Sequence, residues 1–299
     1  MTAARARAPL AAAARAASGA KRWATRLLAY CARGGLVSRN AFLALLALGA
    51  CTPIAPVEPP LSYPPSARER ILRIAVAEWR DWGSIIINAG PPQSAPAESR
   101  TDNFPRVLAY WRAVPDDEGA IARNRALYRE GSAQLWAEPA WSAAFISYVM
   151  RTAGVDGREF PPSAAHSNYV DALVVDAARF PDAAPFVPHD PAGYAPRAGD
   201  LVCADRSDAP IRSWRDRAAD AGRFRPMHCD IVLRVRPGHV EAIGGNLQDA
   251  VSLARFPTDA SGALLPRPAG GATWFAVFEN RLGRLPPFAP SPANRSPSS

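Results

Sequence analysis

The hydrophobic pattern divides the chain into a helical first half and a second half made of strands. Apolar residues recur every three or four positions in segments that begin near residues 66, 104, 139 and 163, a period typical of helices with one buried face. From residue 200 onward, short apolar runs predict strands instead, at 200–204, 231–236, 239–243, 251–255 and 274–278. Helices followed by an antiparallel sheet predict a single α+β domain over residues 66–282.

The stretch from Pro139 to Gly154 predicts the helix around which the domain is organised. Pro139 precedes its start and Gly154 follows its end, which is the usual punctuation of a helix. Ser142 therefore falls in the first turn, where free backbone N–H groups and the helix dipole favour negative charge. Two interpretations are open: Ser142 caps the helix, or it is a nucleophile activated by its position.

A base and an orienting group for such a nucleophile can be found on the predicted strands. His228 stands just before an apolar strand, and Asn246 follows two glycines at the end of the next one, eighteen residues later. In an antiparallel hairpin these two strand ends lie side by side. Asn246 could then accept from one ring nitrogen of His228 and leave the other free, giving a nucleophile, a base and an orienting group.

Four segments together carry a family resemblance: Pro139-Ala-Trp-Ser-Ala-Ala-Phe145, Pro196-Arg-Ala-Gly-Asp-Leu-Val202, His228-Cys-Asp-Ile-Val232 and Ile243-Gly-Gly-Asn246. Their order and spacing resemble the CHAP and NlpC-type cell-wall amidases, and most closely the bacterial family called domain of unknown function 2272, over roughly residues 66–282. The resemblance implies a papain-like fold with N-terminal helices packed on an antiparallel sheet. It also implies cleavage of an amide bond in peptidoglycan stem peptides, without a cofactor.

Ser142 stands where those amidases carry cysteine. A cysteine beside histidine can exist as a thiolate–imidazolium pair, whereas serine must lose its proton during attack. A neutral Asn246 cannot stabilise the imidazolium, so Asp230, on the same strand face as His228, is a candidate for the missing charge; otherwise it is a carboxylate at the surface or at a turn. The chain is therefore either a serine hydrolase or a catalytically silent module that binds cell-wall peptides or a protein partner.

Accessory residues follow from the same arrangement. His166, early in the helix after Ser163, either lies near the cleft or is a half-buried, hydrogen-bonded histidine. Trp141 is expected to pack beneath the active-site turn in preference to binding a ligand. No pair of His or Cys has the spacing of metal ligands, so no metal is expected.

Cys203 and Cys229 lie on two strands that should pair. In an exported protein they could form a cross-strand disulfide; the alternative is two free buried thiols. Cys229 alternates with His228 along the strand and so points to the opposite face, which argues against Cys229 as the nucleophile.

The net charge of +8 does not indicate a nucleic-acid partner. The first 50 residues contain eight basic residues and no acidic one, which leaves 27 basic and 27 acidic residues in the remainder. A formally neutral body gives no reason to expect binding to a phosphate backbone.

The N-terminal residues have the pattern of an export signal. Residues 41–50 form an uncharged apolar run of the length of a signal-peptide core, and Leu48-Gly-Ala-Cys51 resembles the bacterial lipobox. We expect a lipoprotein of the cell envelope, anchored to the membrane through Cys51; a plain secretory signal or an uncleaved anchor is the alternative.

The segments outside the α+β domain complete the domain prediction. Residues 1–50 are the leader, and its first 36 residues have no pattern of a signal, so the true start could lie near Val37. Residues 51–65 form a proline-rich tether, and residues 283–299 a disordered tail rich in proline and serine.

Overall fold

The computed structural model of the protein describes residues 58–87, 97–115, 119–267 and 271–284. The leader, the first seven residues of the tether with Cys51, and the tail from residue 285 lie outside these ranges, so what the sequence predicts for them stays a prediction. Within them, no helix combines the length and the apolar character that crossing a bilayer requires.

The described part of the chain contains five α-helices and seven strands. The helices are α1 (Ala67–Asp81), α2 (Phe104–Trp111), α3 (Ala120–Arg129), α4 (Ser142–Thr152) and α5 (His166–Arg179). The strands are β1 (Ile86–Ile87), β2 (Phe186–His189), β3 (Leu201–Asp205), β4 (Met227–Arg236), β5 (His239–Gly244), β6 (Ser252–Pro257) and β7 (Thr273–Asn280). The predicted α+β class is confirmed.

The seven strands form one mixed sheet in the order β1-β6-β5-β4-β3-β7-β2. Every neighbouring pair is antiparallel except β1 and β6, which are parallel, so the prediction of a purely antiparallel sheet is wrong at one edge. The two strands that the sequence pattern missed, β1 and β2, are both edge strands. One has two residues and the other contains Pro188, a residue tolerated in a sheet mainly at its edges.

The helix α4 is buried almost all round instead of on a single face. Eight of its eleven residues, from Ser142 to Met150, are buried, because α4 contacts α1 and α2 on one side and β4 and β5 on the other. Gly154 follows its end with φ +84°, as the sequence predicts for a helix terminator. The consequence is that the first turn of α4 is held against the ends of two central strands.

A disulfide bond joins β3 and β4 at the same end of the sheet. Cys203 and Cys229 are direct partners across the two strands, and their sulfur atoms are bonded. Both lie in the core that the helices cover. Because side chains alternate along a strand, His228 and Asp230, on either side of Cys229, point away from this core.

Replacing Cys203 and Cys229 together by alanine should lower the free energy of unfolding by about 3 kcal/mol. The reason is that the bond closes a loop spanning 26 residues of sequence in the unfolded chain. Urea unfolding followed by tryptophan fluorescence measures the difference. A reductant should bring the unmodified protein to the stability of the double variant and leave the variant unchanged; an unmodified protein whose midpoint survives full reduction would contradict the prediction.

Candidate active site

Ser142 is the first residue of α4, and its hydroxyl does not cap the helix. The N-cap position belongs to Trp141, and no side-chain cap bond forms. The hydroxyl Oγ of Ser142 instead lies 2.7 Å from Nε2 of His166. Ser142 therefore stands at a helix start with its side chain engaged by a histidine, and of the two interpretations of this residue the cap is wrong.

His166 is the first residue of α5 and belongs to the site directly. The helix begins three residues later than Ser163, and the Ser163 hydroxyl accepts from the backbone N–H of Ala165. Tyr169 follows His166 by three positions, so both side chains lie on one face of the helix, and the phenol hydrogen-bonds to Nδ1 of His166. Both interpretations of His166 apply. It is a hydrogen-bonded, buried histidine, and it also lines the cavity at Ser142.

The imidazole of His166 is held in its neutral form. Burial, and then the neighbouring His228 and Arg206, lower its pKa well below the usual value. Burial and the charge of Asp230 raise the pKa of the Tyr169 phenol, so Tyr169 keeps its proton. Ser142, His166 and Tyr169 therefore form a chain of neutral groups.

His228 and Asp230 form a second pair beside this chain. Both are buried at the start of β4, and Nε2 of His228 lies 2.9 Å from Oδ1 of Asp230. The rings of His228 and His166 are 5.3 Å apart between centroids. The other ring nitrogen of His228, Nδ1, is buried and has no hydrogen-bond partner among the described residues. Asp230 is thus a buried partner of His228, not a carboxylate at the surface.

Gly244 makes room for this pair. It lies across from Asp230 at the end of β5, and a Cβ atom at this position would come within 1.9 Å of Oδ1 of Asp230 and 3.0 Å of Nε2 of His228. No larger residue fits there without moving the carboxylate. The glycine is therefore required by a close approach of side chains from the neighbouring strand.

The predicted hydrogen bond between Asn246 and His228 is absent. Nε2 of His228 is occupied by Asp230, and Nδ1 has no described partner. The β4–β5 pairing ends at Ile231 and Ile243, and Asn246 has φ +54°, outside the strand conformation. The backbone thus turns away before the register can bring Asn246 opposite His228, and Asp230 takes the orienting place.

The proton positions in the Ser142–His166–Tyr169 chain follow from what each group can accept. Among the described residues, the fully buried phenol of Tyr169 has only Nδ1 of His166 as an acceptor, and a buried O–H must donate. His166 then carries its hydrogen on Nε2 and donates to Oγ of Ser142. In this arrangement His166 cannot accept the serine proton.

The same reasoning leaves His228 with the free basic nitrogen. An ionised carboxylate only accepts, so Nε2–H of His228 donates to Asp230 and Nδ1 keeps its lone pair. The hydroxyl hydrogen of Ser142 is not used by His166 and can be given elsewhere. Chemically, the arrangement offers a hydroxyl, a neutral N–H donor to its oxygen, and a separate imidazole supported by a carboxylate.

The cavity in front of Ser142 has a volume of about 540 Å³. Ser142 and His166 line it together with prolines of four loops, and Phe224 stands exposed at its edge. Arg206, directly after β3, also lines it. Within the described ranges, no group of three His, Cys, Asp or Glu side chains is placed to hold a metal ion.

Trp141 packs beneath the helix start, as the sequence predicts. It is fully buried, its ring lies 5.3 Å from that of Trp82, and its Nε1 donates to Oε2 of Glu98 at 2.7 Å. Burial is the main cause that raises the pKa of Glu98 to about 7, with Asp249 adding to it. Glu98 was not a candidate from sequence, because only the folded chain brings it to Trp141.

The raised pKa of Glu98 predicts a loss of stability with increasing pH. The unfolded carboxyl titrates near 4.5 and the folded one near 7, so the folded protein holds the proton more tightly. Stability from this group is complete below about pH 4.5 and falls as the pH rises to about 7, by at most about 1.4 kcal/mol per pH unit. Urea unfolding on both sides of this window measures the change.

Glu98→Gln is the matched control, because the amide keeps an oxygen for the Trp141 N–H and cannot ionise. The difference in stability between the two proteins should therefore shift in favour of the variant as the pH rises. A difference that stays constant across the window would show that Glu98 is ionised in the folded protein throughout.

Comparison with known proteins identifies a family. No curated protein and no solved structure matches the chain. A family model described as "Uncharacterized protein conserved in bacteria (DUF2272)" matches residues 101–279, which include Ser142, His166, His228 and Asp230. This match covers more than half of the 299 residues, and the chain therefore belongs to the DUF2272 family.

Proposed function

We propose that this protein is a hydrolase of amide bonds that uses Ser142 as its nucleophile and His228, supported by Asp230, as its base. The observation that carries the proposal is a carboxylate-bound histidine whose buried Nδ1 has no partner among the described residues. Its ring lies 5.3 Å from that of His166, the histidine bonded to the helix-start serine. A papain-like frame is supported by the order of elements, since a nucleophile opens a helix and a base begins a later strand.

The proposed reaction proceeds by acyl transfer. Oγ of Ser142 attacks the carbonyl carbon while its proton passes to Nδ1 of His228, forming a tetrahedral oxyanion. His228 then gives this proton to the leaving amine, and the C–N bond breaks. Water, deprotonated by His228, hydrolyses the acyl-enzyme and restores Ser142. In the free protein the hydroxyl of Ser142 is hydrogen-bonded to His166. Its hydrogen bond to Nδ1 of His228 is expected to form when substrate fills the cavity, since catalytic hydrogen bonds often reach their working geometry only in the complex.

Asp230 supplies the negative charge that a serine nucleophile requires beside its histidine and that Asn246 could not provide. During attack His228 becomes an imidazolium, and a carboxylate bonded to its other nitrogen stabilises that charge, whereas an asparagine would not. Asp230 is buried and 2.9 Å from His228, so the attraction acts in a medium of low polarity.

His166 has the role of a neutral donor in this proposal. Its Nε2–H lies 2.7 Å from Oγ of Ser142 and would orient the attacking oxygen. The first backbone N–H groups of α4, at residues 142–144, have no carbonyl within the helix to bond. They are the candidates for holding the oxyanion.

The family resemblance extends this proposal to a class of substrate and to a location in the cell. A peptide of the cell wall is the substrate that the likeness to CHAP and NlpC-type amidases favours. Anchoring at the membrane surface through Cys51 would place the domain in the envelope with that substrate.

A catalytically silent module that binds peptide is the second candidate, and one observation favours it. Ser142 is bonded to His166, whose pKa is lowered so far that it resists becoming an imidazolium. If His228 cannot reach Ser142 in the complex, no group in the chain of neutral residues can take the serine proton.

The first test compares serine and aspartate variants of the purified protein. Ser142→Ala should abolish covalent labelling by a fluorophosphonate and cleavage of peptidoglycan fragments, followed by mass spectrometry. Asp230→Asn should lower turnover by about three to four orders of magnitude. Ser167→Ala is the matched control, since this serine is also buried and its hydroxyl has no described hydrogen-bond partner. Fragment binding without cleavage by both the unmodified protein and Ser142→Ala would favour the silent module.

The second test separates the two histidines. His228→Gln removes the basic nitrogen and should reduce turnover to the level of Ser142→Ala. His166→Gln keeps an N–H donor for Ser142 and should cost about 10- to 100-fold. The opposite order of severity would identify His166 as the base and overturn the assignment of roles.

A further inference from the structure

We propose that Arg206 and Arg267 form a subsite for a carboxylate of the substrate, so that the protein selects acidic peptides. The proposal rests on the proposed function for its choice of a peptide as the ligand. Two cavities meet at Arg206, and the charges that line them support the subsite.

Arg206 lies between the candidate active site and a second, larger cavity. It lines the cavity of about 540 Å³ that contains Ser142, and also a neighbouring cavity of about 1040 Å³ that contains Arg267. Its backbone N–H donates to the carbonyl of Pro226 at 2.8 Å, which fixes it beside the start of β4. Its charge also contributes to lowering the pKa of His166. A ligand group bound by Arg206 would therefore lie close to the reacting atoms.

The charges of the larger cavity are unbalanced in favour of cations. Three arginines line it, Arg206, Arg212 and Arg267, against Asp190 and Asp208. Asp190 is already engaged by Ser213 and Arg215. Within the described residues none of the three guanidinium groups has a carboxylate within salt-bridge distance, so the cavity offers donors whose natural partner is an anion.

Some arginines near the larger cavity are paired with carboxylates, and others are not. Arg217 pairs with Asp171 and Asp220, and Arg225 with Asp205 and Asp220. Four other arginines of this region, Arg206, Arg212, Arg223 and Arg267, have no paired acid among the described residues. Of these, Arg267 is the one that is half-buried, and Arg206 is the one that lines both cavities.

Arg267 is held in place by packing while its charge lacks a bonded partner. Its guanidinium lies 4.7 Å from the ring centroid of Trp274 and 5.2 Å from that of Phe256. Burial lowers its pKa, which the charge of Asp230 partly offsets; Asp230 itself is hydrogen-bonded to His228. A fixed, half-buried guanidinium costs free energy unless an anion binds it, and it loses little freedom when one does.

A carboxylate fits these observations and the proposed reaction together. The positive charges of Arg206 and Arg267 repel each other, since the charge of Arg206 further lowers the pKa of Arg267. One carboxylate between them would relieve this repulsion and could accept from both. On a peptide, the side chain of an acidic residue near the scissile bond would supply it.

The experiment measures binding in the Ser142→Ala background, so that turnover does not interfere. The probes are the fluorescent peptide pair Ala-Ala-Glu-Ala-Ala and Ala-Ala-Gln-Ala-Ala, both blocked at their ends, and affinity is read by fluorescence polarisation. We expect the Glu peptide to bind about tenfold or more tightly than the Gln peptide. Arg206→Gln should remove this preference and leave affinity for the Gln peptide unchanged.

Three further variants test the assignment of the subsite. Arg236→Gln changes an exposed arginine at the far end of β4 and should have no effect. Arg267→Lys keeps a charge and the apolar stem over Trp274, so it should retain the fold and part of the preference, whereas Arg267→Gln should lose it. Equal affinities for the two peptides, no measurable binding of either, or equal losses for Arg206→Gln and Arg236→Gln would overturn the subsite.

The experiment distinguishes a failure of the carboxylate subsite from a failure of the hydrolase proposal. A preference for the Glu peptide that depends on Arg206, with no cleavage by the protein that retains Ser142, would keep the subsite and reject the hydrolase. Cleavage of both peptides at equal efficiency would do the reverse.

Discussion

The contact between α4 and the end of β5 is the constraint on which the site depends. A Cβ atom at Gly245, the residue after β5, would come within 2.5 Å of the Cβ of Phe145, so the helix touches the backbone directly beyond the end of the strand. This close approach puts the first turn of α4 near the start of β4, where His228 and Asp230 lie. With a larger residue the helix would have to move outward, and Ser142 would move with it.

The buried polar groups of the site are compatible because most of them are neutral. Ser142, His166 and Tyr169 are joined by hydrogen bonds between neutral groups, and the burial of His166 lowers its pKa and so keeps its ring uncharged. The carboxylate of Asp230 has the His228 ring on one side and the charge of Arg267 nearby. This separation gives one histidine a donor role and leaves the other available as a base.

What could be predicted from sequence is what local pattern determines. The limits of α4 follow from Pro139 and Gly154, and the shared face of His228 and Asp230 follows from alternation along a strand. The prediction for Asn246 failed because two glycines and a left-handed residue end the strand pairing, which a regular hairpin does not anticipate. The places of Tyr169 and Arg206 depend on where α5 and the end of β3 lie relative to α4, and no spacing in the chain encodes that.

Gly244 has a consequence that reaches beyond this chain. Because a methyl group there would overlap the Asp230 carboxylate, the two positions must vary together among relatives. A family member with a larger side chain at this position cannot keep the aspartate–histidine pair in the same geometry, whatever residue it has at position 142. The glycine, easily dismissed as a turn residue, therefore offers a way to sort DUF2272 sequences into those able to keep the pair and those that have abandoned it.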